Sequence, residues 1–339
     1  MEQTKSNEVK RIGYIDFLKF IGVTAIIIAH VGAPDWLRMI RSFDVPLMVI
    51  VSAMLGERSY KKYSGAGLAL AGRYCLSRFK RLVFPTWLFQ LLFFTALFCV
   101  TGQLQPIRYY IYSFCLTQYG MYYVWVILVY LYVALLIPVF DKMKSMVTST
   151  ITMLSLYVIY EVVYYLGLGV DNKFLDTTVY YIIPYGLLAC LGYHYRQMKS
   201  KTRYGIAFCS LAVFIGLGIY YQITTGSFQL VDIVKYPPRL YYLSFGVAIS
   251  FFLLLLSEKH PLKLYDSALI RYVSSHSLWL YLWHILVLSA YEILKLPEIW
   301  YLKLAVVYTL TLAIIYTVNK VLDRIERKHN LGVLKYLRG

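Results

Sequence analysis

Apolar positions run almost unbroken through ten stretches of the chain, at roughly 12–31, 43–56, 82–101, 122–140, 147–168, 178–195, 204–224, 239–257, 273–294 and 300–320. Short polar segments separate them. A half-buried strand would alternate apolar and polar residues, and a surface helix would keep one polar face. These stretches do neither. Several have the length of about 20 residues that a helix needs to cross a bilayer. The pattern predicts an all-α fold, a polytopic transmembrane helical bundle of about ten spans. Residues 1–339 read as a single integral-membrane domain, with spans over 12–320 and a basic tail, 321–339. An even number of spans puts both termini on the same side.

Composition sharpens the class. Hydrophobic residues make up 60 % of the chain and charged residues 15 %, with a mean hydropathy of +0.60. Soluble domains run at about 45–50 % apolar and 25 % charged. The formal net charge of +17 raises the question of nucleic acid. Its distribution answers it. Twenty-five Lys and Arg residues fall on the side that holds both termini and eight on the other. Such an asymmetry assigns the termini to the cytoplasm, so the charge reports topology and contact with anionic lipid rather than a nucleic-acid partner. The five cysteines are scattered and no Cys/His set has zinc-ligand spacing, so no metal site is expected. The expected location is the plasma membrane, as a multi-pass protein.

The first span carries three ionisable residues, Asp16, Lys19 and His30. A charge near the bilayer centre costs at least about 2.5–3.5 kcal/mol, which makes such residues functional candidates. At about 100° per residue, Lys19 and His30 lie about 20° from the same helical azimuth, and Asp16 and His30 about 40°. All three therefore share one stripe, with Lys19 and His30 about 16 Å apart along the axis. Asp16 and Lys19 read equally as an i,i+3 ion pair at the interface. Residues 57–81 form the longest and most basic cytoplasmic segment, in which Arg78 and Arg81 share a helix face with Lys80 beside them. It reads either as an interfacial amphipathic helix or as a phosphate site, since guanidinium groups bind phosphate bidentately. Glu161 is a second intramembrane acid whose partner the sequence does not name. Arg239, after Tyr236-Pro237-Pro238, is expected to snorkel to headgroups.

IDFLKFIGVTAIIIAH, with a basic residue, ten intervening residues and a histidine, resembles the first helix of membrane-bound acyltransferase family 3, LDxLRxxAxxxVxxxH. Lys19 stands where that family usually has Arg. FDVPLMVIVSAMLG is similar to its FHxPLFFxxSGYL, with Asp44 where His is common. RFKRLVFPTW resembles its RxxR and Pro-aromatic segment, and the Trp125 span resembles WFLxxLLxxY. The ninth span, SSHSLWLYLWHILVL, resembles SYxIYLxHxP, with Ser277, Tyr281 and His284 at the matching places. The resemblance implies an O-acyltransferase, usually an acetyltransferase. Cytoplasmic acetyl-CoA or another acyl-CoA is its donor substrate, with no bound cofactor. A hydroxyl of an extracytoplasmic or lipid-linked sugar or polysaccharide is its acceptor.

Acyl transfer to a hydroxyl needs a base, and an imidazole with an ordinary pKa of about 6.5 suits that role. His30 is the expected catalytic residue, as general base or as nucleophile. Lys19, Asp16, His284, Tyr281 and Trp125 are expected to support it or face the acceptor. Arg78, Lys80 and Arg81 are expected to bind acyl-CoA. Trp125 reads equally as part of the interfacial aromatic belt. A transporter or flippase of a lipid-linked sugar is the alternative that the spans and intramembrane charges also allow.

Overall fold

The computed structural model describes residues 12–63, 67–168 and 172–329, so Lys5, Lys10, Arg11 and the last part of the basic tail lie outside the described residues. Among the described residues fourteen α-helices follow one another: α1 (Gly13–Ile28), α2 (Asp35–Arg41), α3 (Asp44–Tyr60), α4 (Gly67–Thr101), α5 (Ile107–Phe114), α6 (Trp125–Met143), α7 (Met146–Tyr165), α8 (Lys173–Thr177), α9 (Val179–His194), α10 (Ser200–Thr225), α11 (Leu240–Lys259), α12 (Ala268–Ser275), α13 (Ser277–Ile293) and α14 (Trp300–His329). The described residues hold no strand. Eight segments are long and apolar enough to cross a membrane, and α13 is a shorter apolar helix. The protein is a polytopic helical bundle. Ten of its helices correspond to the ten apolar stretches, and α2, α5, α8 and α12 are short additions between them.

The bundle has an inner and an outer set. The span window that contains α3 is 72 % buried, as is that of α11, against 17 % in α10. α3 packs on α1, α6, α9 and α11, and nearly every side chain from Asp44 to Met54 is buried. Small residues allow these close approaches. At Gly192 of α9 a Cβ would stand 2.3 Å from the carbonyl oxygen of Ile50 in α3. The outer helices α4, α7, α10 and α14 keep rows of exposed Leu, Ile, Val and Phe, as lipid-facing surfaces do.

Two departures from the sequence pattern position the site. The basic segment before the third span is not a separate interfacial helix. It continues into that span as α4, 35 residues long, with Pro85 inside it. The ninth span, in turn, is broken at His276 into α12 and α13. The ammonium of Lys19 donates to the carbonyl of Ser274 at 2.5 Å, and the Ser274 hydroxyl donates to Asp16 at 2.5 Å. Lys19 thus takes a carbonyl that a continuing helix would bond internally, which explains why the break is tolerated at that level.

Candidate active site

α1 presents its polar stripe to α12 and α13. Asp16 and Lys19 meet Ser274 near the start of α1. Beyond its other end His30 lies in the turn after Ile28, its backbone N–H donating to the Ile27 carbonyl at 3.0 Å. Its Nδ1 lies 2.9 Å from Nε2 of His284 on α13, and the two rings are within 11° of parallel. His284 is wholly buried, whereas His30 is half-buried. The Tyr123 ring packs edge-on against His30, with centroids 4.9 Å apart. The Tyr281 hydroxyl donates to the Tyr123 carbonyl, and its ring lies 5.2 Å from that of His284. Four aromatic side chains from three parts of the chain thus hold one another around the histidine pair.

A cavity of about 400 Å³ runs beneath this group between α1, α3, α4, α6 and α13. Lys19, Arg78, Arg81, Tyr74, Ser59 and Ser275 line one end of it. Val23, Ile26, Met48, Leu55, Val133 and Ile137 give it an apolar wall, and Tyr130 and Tyr281 stand towards its deep part. Along α6 the lining positions 127, 130, 133, 134 and 137 recur at helical spacing, so one face of that helix forms the wall. Arg78 lies over the Tyr74 ring, 5.1 Å from its centroid, and its buried Nε bonds to no described group. Two guanidinium groups and an ammonium therefore stand at one end of a channel whose wall is mainly apolar, with serine and tyrosine hydroxyls interspersed. Such a mouth is suited to a polyanionic head with an apolar or neutral arm behind it.

The residues singled out in the sequence are distributed as follows. Lys19, Arg78, Arg81 and Tyr281 line the cavity, while Lys80 is exposed on another face of α4. Asp16 lies outside the cavity, bound to Ser274. His30 and His284 do not line the cavity; Tyr281, one turn before His284 on α13, does. Trp125 is buried beside Tyr181, Tyr185 and Tyr236, with the Lys235 ammonium 5.9 Å above its ring. Glu161 finds its partner in Arg239, at 2.7 Å, so that arginine is committed to an ion pair rather than reaching for headgroups.

Sequence reasoning missed a buried charge cluster at the outer end. Asp44 accepts from Arg41 at 2.7 Å and lies 3.5 Å from Lys235, and all three are buried. Asp232 joins through Arg38 at 2.6 Å and Arg41 at 3.9 Å. In sequence Arg38, Arg41, Asp232 and Lys235 are ordinary loop charges, and no local pattern separates them from solvated ones. The tyrosines at 74, 123 and 130 were equally hidden, among 35 in the chain.

The arrangement has a basic mouth, an apolar channel and an imidazole pair one helical turn beyond the channel's deep end. It suits carrying an activated group from one side of the membrane to a proton acceptor near the other. Neither a curated protein nor a solved structure matches the chain. The family model of an acyltransferase domain matches residues 12–318. The chain belongs to acyltransferase family 3 and is a membrane acyltransferase.

Proposed function

We propose that this protein is an O-acyltransferase of the plasma membrane. It moves a short acyl group, acetyl in the first instance, from cytoplasmic acyl-CoA to a hydroxyl of an extracytoplasmic or lipid-linked sugar. The observation that carries the reading is the cavity that begins at Lys19, Arg78 and Arg81 and ends at Tyr281, against whose ring His284 and then His30 are packed. The phosphates of the donor sit among the guanidinium groups, and the pantetheine arm follows the apolar wall. The thioester then reaches the deep end beneath the histidines. The acceptor approaches from the opposite side, where the half-exposed rings of Tyr122 and Tyr236 meet edge to face, 5.8 Å apart, beside Tyr123 and Trp125. Aromatic faces of this kind suit the apolar side of a sugar ring.

The chemistry follows from those positions. His30 takes the proton of the acceptor hydroxyl as its oxygen attacks the thioester carbonyl carbon. The C–O bond forms, the C–S bond breaks, and the sulfur leaves with the electron pair. The proton held on His30 passes to the thiolate and releases free coenzyme A.

The test is purified protein with acyl-labelled acetyl-CoA. Label is expected in the acceptor, or in free acetate when no acceptor is supplied. A protein that translocates a lipid-linked sugar yet leaves acetyl-CoA intact overturns the reading. In the same assay Arg81→Ala is expected to weaken donor binding by about 1.5–3 kcal/mol, the scale of a lost charge-assisted hydrogen bond. Arg81→Lys is expected to recover part of it, and Lys80→Ala to change little. Equal donor affinity for Arg81→Ala and the unaltered protein would detach the basic mouth from donor binding.

A further inference from the structure

The two histidines have distinguishable nitrogens, and their surroundings determine where the protons sit. His284 Nδ1 is buried and makes no well-formed hydrogen bond. Among the described residues, the backbone carbonyls of Leu280 and Tyr281, four and three residues back on α13, interact with the His284 imidazole in the sense that favours a bound proton. A carbonyl only accepts, so the neutral imidazole of His284 is favoured with its proton on Nδ1 and its lone pair on Nε2. That lone pair faces Nδ1 of His30 at 2.9 Å. His30 Nδ1 must then be the donor of this bond, which leaves the His30 lone pair on Nε2. Among the described residues nothing hydrogen-bonds to that Nε2, and it is not among the buried polar atoms.

We propose that His284 is a positioning residue that holds His30 in the Nδ1–H tautomer, so that Nε2 of His30 is the atom that takes the acceptor's proton. The assignment rests on the acyltransferase reading of His30 and deepens it. An unconstrained histidine side chain favours the other tautomer, with Nε2 protonated and unable to act as a base. His284 therefore does for His30 what a buried carboxylate does for the histidine of a serine protease, where the wrong tautomer costs about 10⁴ in kcat. The difference is charge. His284 is neutral, and it supplies orientation and tautomer without adding an anion to a site at the outer end of the bundle. When His30 takes the proton on Nε2, its Nδ1–H stays bonded to His284 Nε2, and the added charge is shared across the pair. The proton then leaves from Nε2 to the departing thiolate, and the pair returns to its starting state.

The first measurement needs no turnover. In protein labelled with ¹⁵N-histidine, the His30 resonances, assigned by comparison with His30→Gln, are expected to show a protonated Nδ1 and an unprotonated Nε2. In His284→Ala they are expected to move to the opposite pattern. The second measurement is kinetic. His284→Ala is expected to lower kcat by about 10²–10⁴-fold with the KM for acetyl-CoA unchanged. His284→Gln, whose amide oxygen can accept from His30 Nδ1–H, is expected to recover at least about tenfold of that loss. A protonated Nε2 on His30 in the unaltered protein overturns the proposal. So does a folded His284→Ala variant with unaltered kcat, or Ala and Gln variants equally inactive and equally lowered in melting temperature, which would mark His284 as packing alone. Should His284→Ala fail to fold, the spectrum of the unaltered protein and the Gln variant decide. A protein with the expected tautomer but no transfer or hydrolysis of acetyl-CoA would overturn the proposed function and with it the role given to His284.

Discussion

Replacing His30 by Ala is expected to abolish acyl transfer, by about 10²–10⁴-fold for the loss of a general base, while acyl-CoA still binds. The separation follows from geometry. The donor-binding candidates Arg78 and Arg81 line the basic end of the cavity, and His30 lies beyond its deep end in the turn after α1. Removing the imidazole strands no buried charge, because its one hydrogen-bond partner among the described residues is the neutral His284. The variant should therefore insert and fold. The decisive measurement is transfer of label from acetyl-CoA to the acceptor by folded His30→Ala protein, beside its donor affinity. Near-normal transfer would move the base off α1. A loss of transfer together with donor affinity and melting temperature would mean the side chain is a packing element.

Asp44→Asn is expected to destabilise the protein by about 3–5 kcal/mol, the cost of breaking a buried ion pair by removing one partner. Asp44 is 1 % exposed and answers two buried cations, Arg41 and Lys235. Oδ1, the oxygen that faces Lys235, also accepts from the Val45 backbone N–H at 2.7 Å, at the start of α3. Asparagine can keep that last bond and the volume, so the loss isolates the charge. The second variant in the cycle is Lys235→Met, which removes one of the stranded cations. The pair Asp44→Asn with Lys235→Met is expected to be more stable than Asp44→Asn alone, which is the signature of direct coupling. Chemical denaturation in detergent reads both. Equal midpoints for Asp44→Asn and the unaltered protein would show that solvent reaches the cluster.

The order and number of the apolar helices, their membrane class and the common side of Asp16 and Lys19 on α1 and of His30 just beyond it were all determined by local sequence. Each follows from a short-range rule: apolar length against bilayer thickness, or azimuth against a 3.6-residue turn. The basic side of Arg78 and Arg81 was legible for the same reason, since i,i+3 positions share a face. Tertiary structure alone decided the partners. His30 and His284 are 254 residues apart, and an apolar span gives its depth in the membrane but not which neighbour it meets. Those choices fall to the few polar groups that must be satisfied where water is scarce. Lys19 and Asp16 therefore select Ser274 and allow the break at His276, and Glu161 selects Arg239. Asp44 likewise draws Arg41 and Lys235 out of loops that in sequence look solvated. The cavity is a product of the same packing. Lys80 falls outside it and Tyr74 and Tyr130 inside, because membership depends on which face of α4 and α6 turns towards α1. One-dimensional apolarity leaves that rotation undetermined.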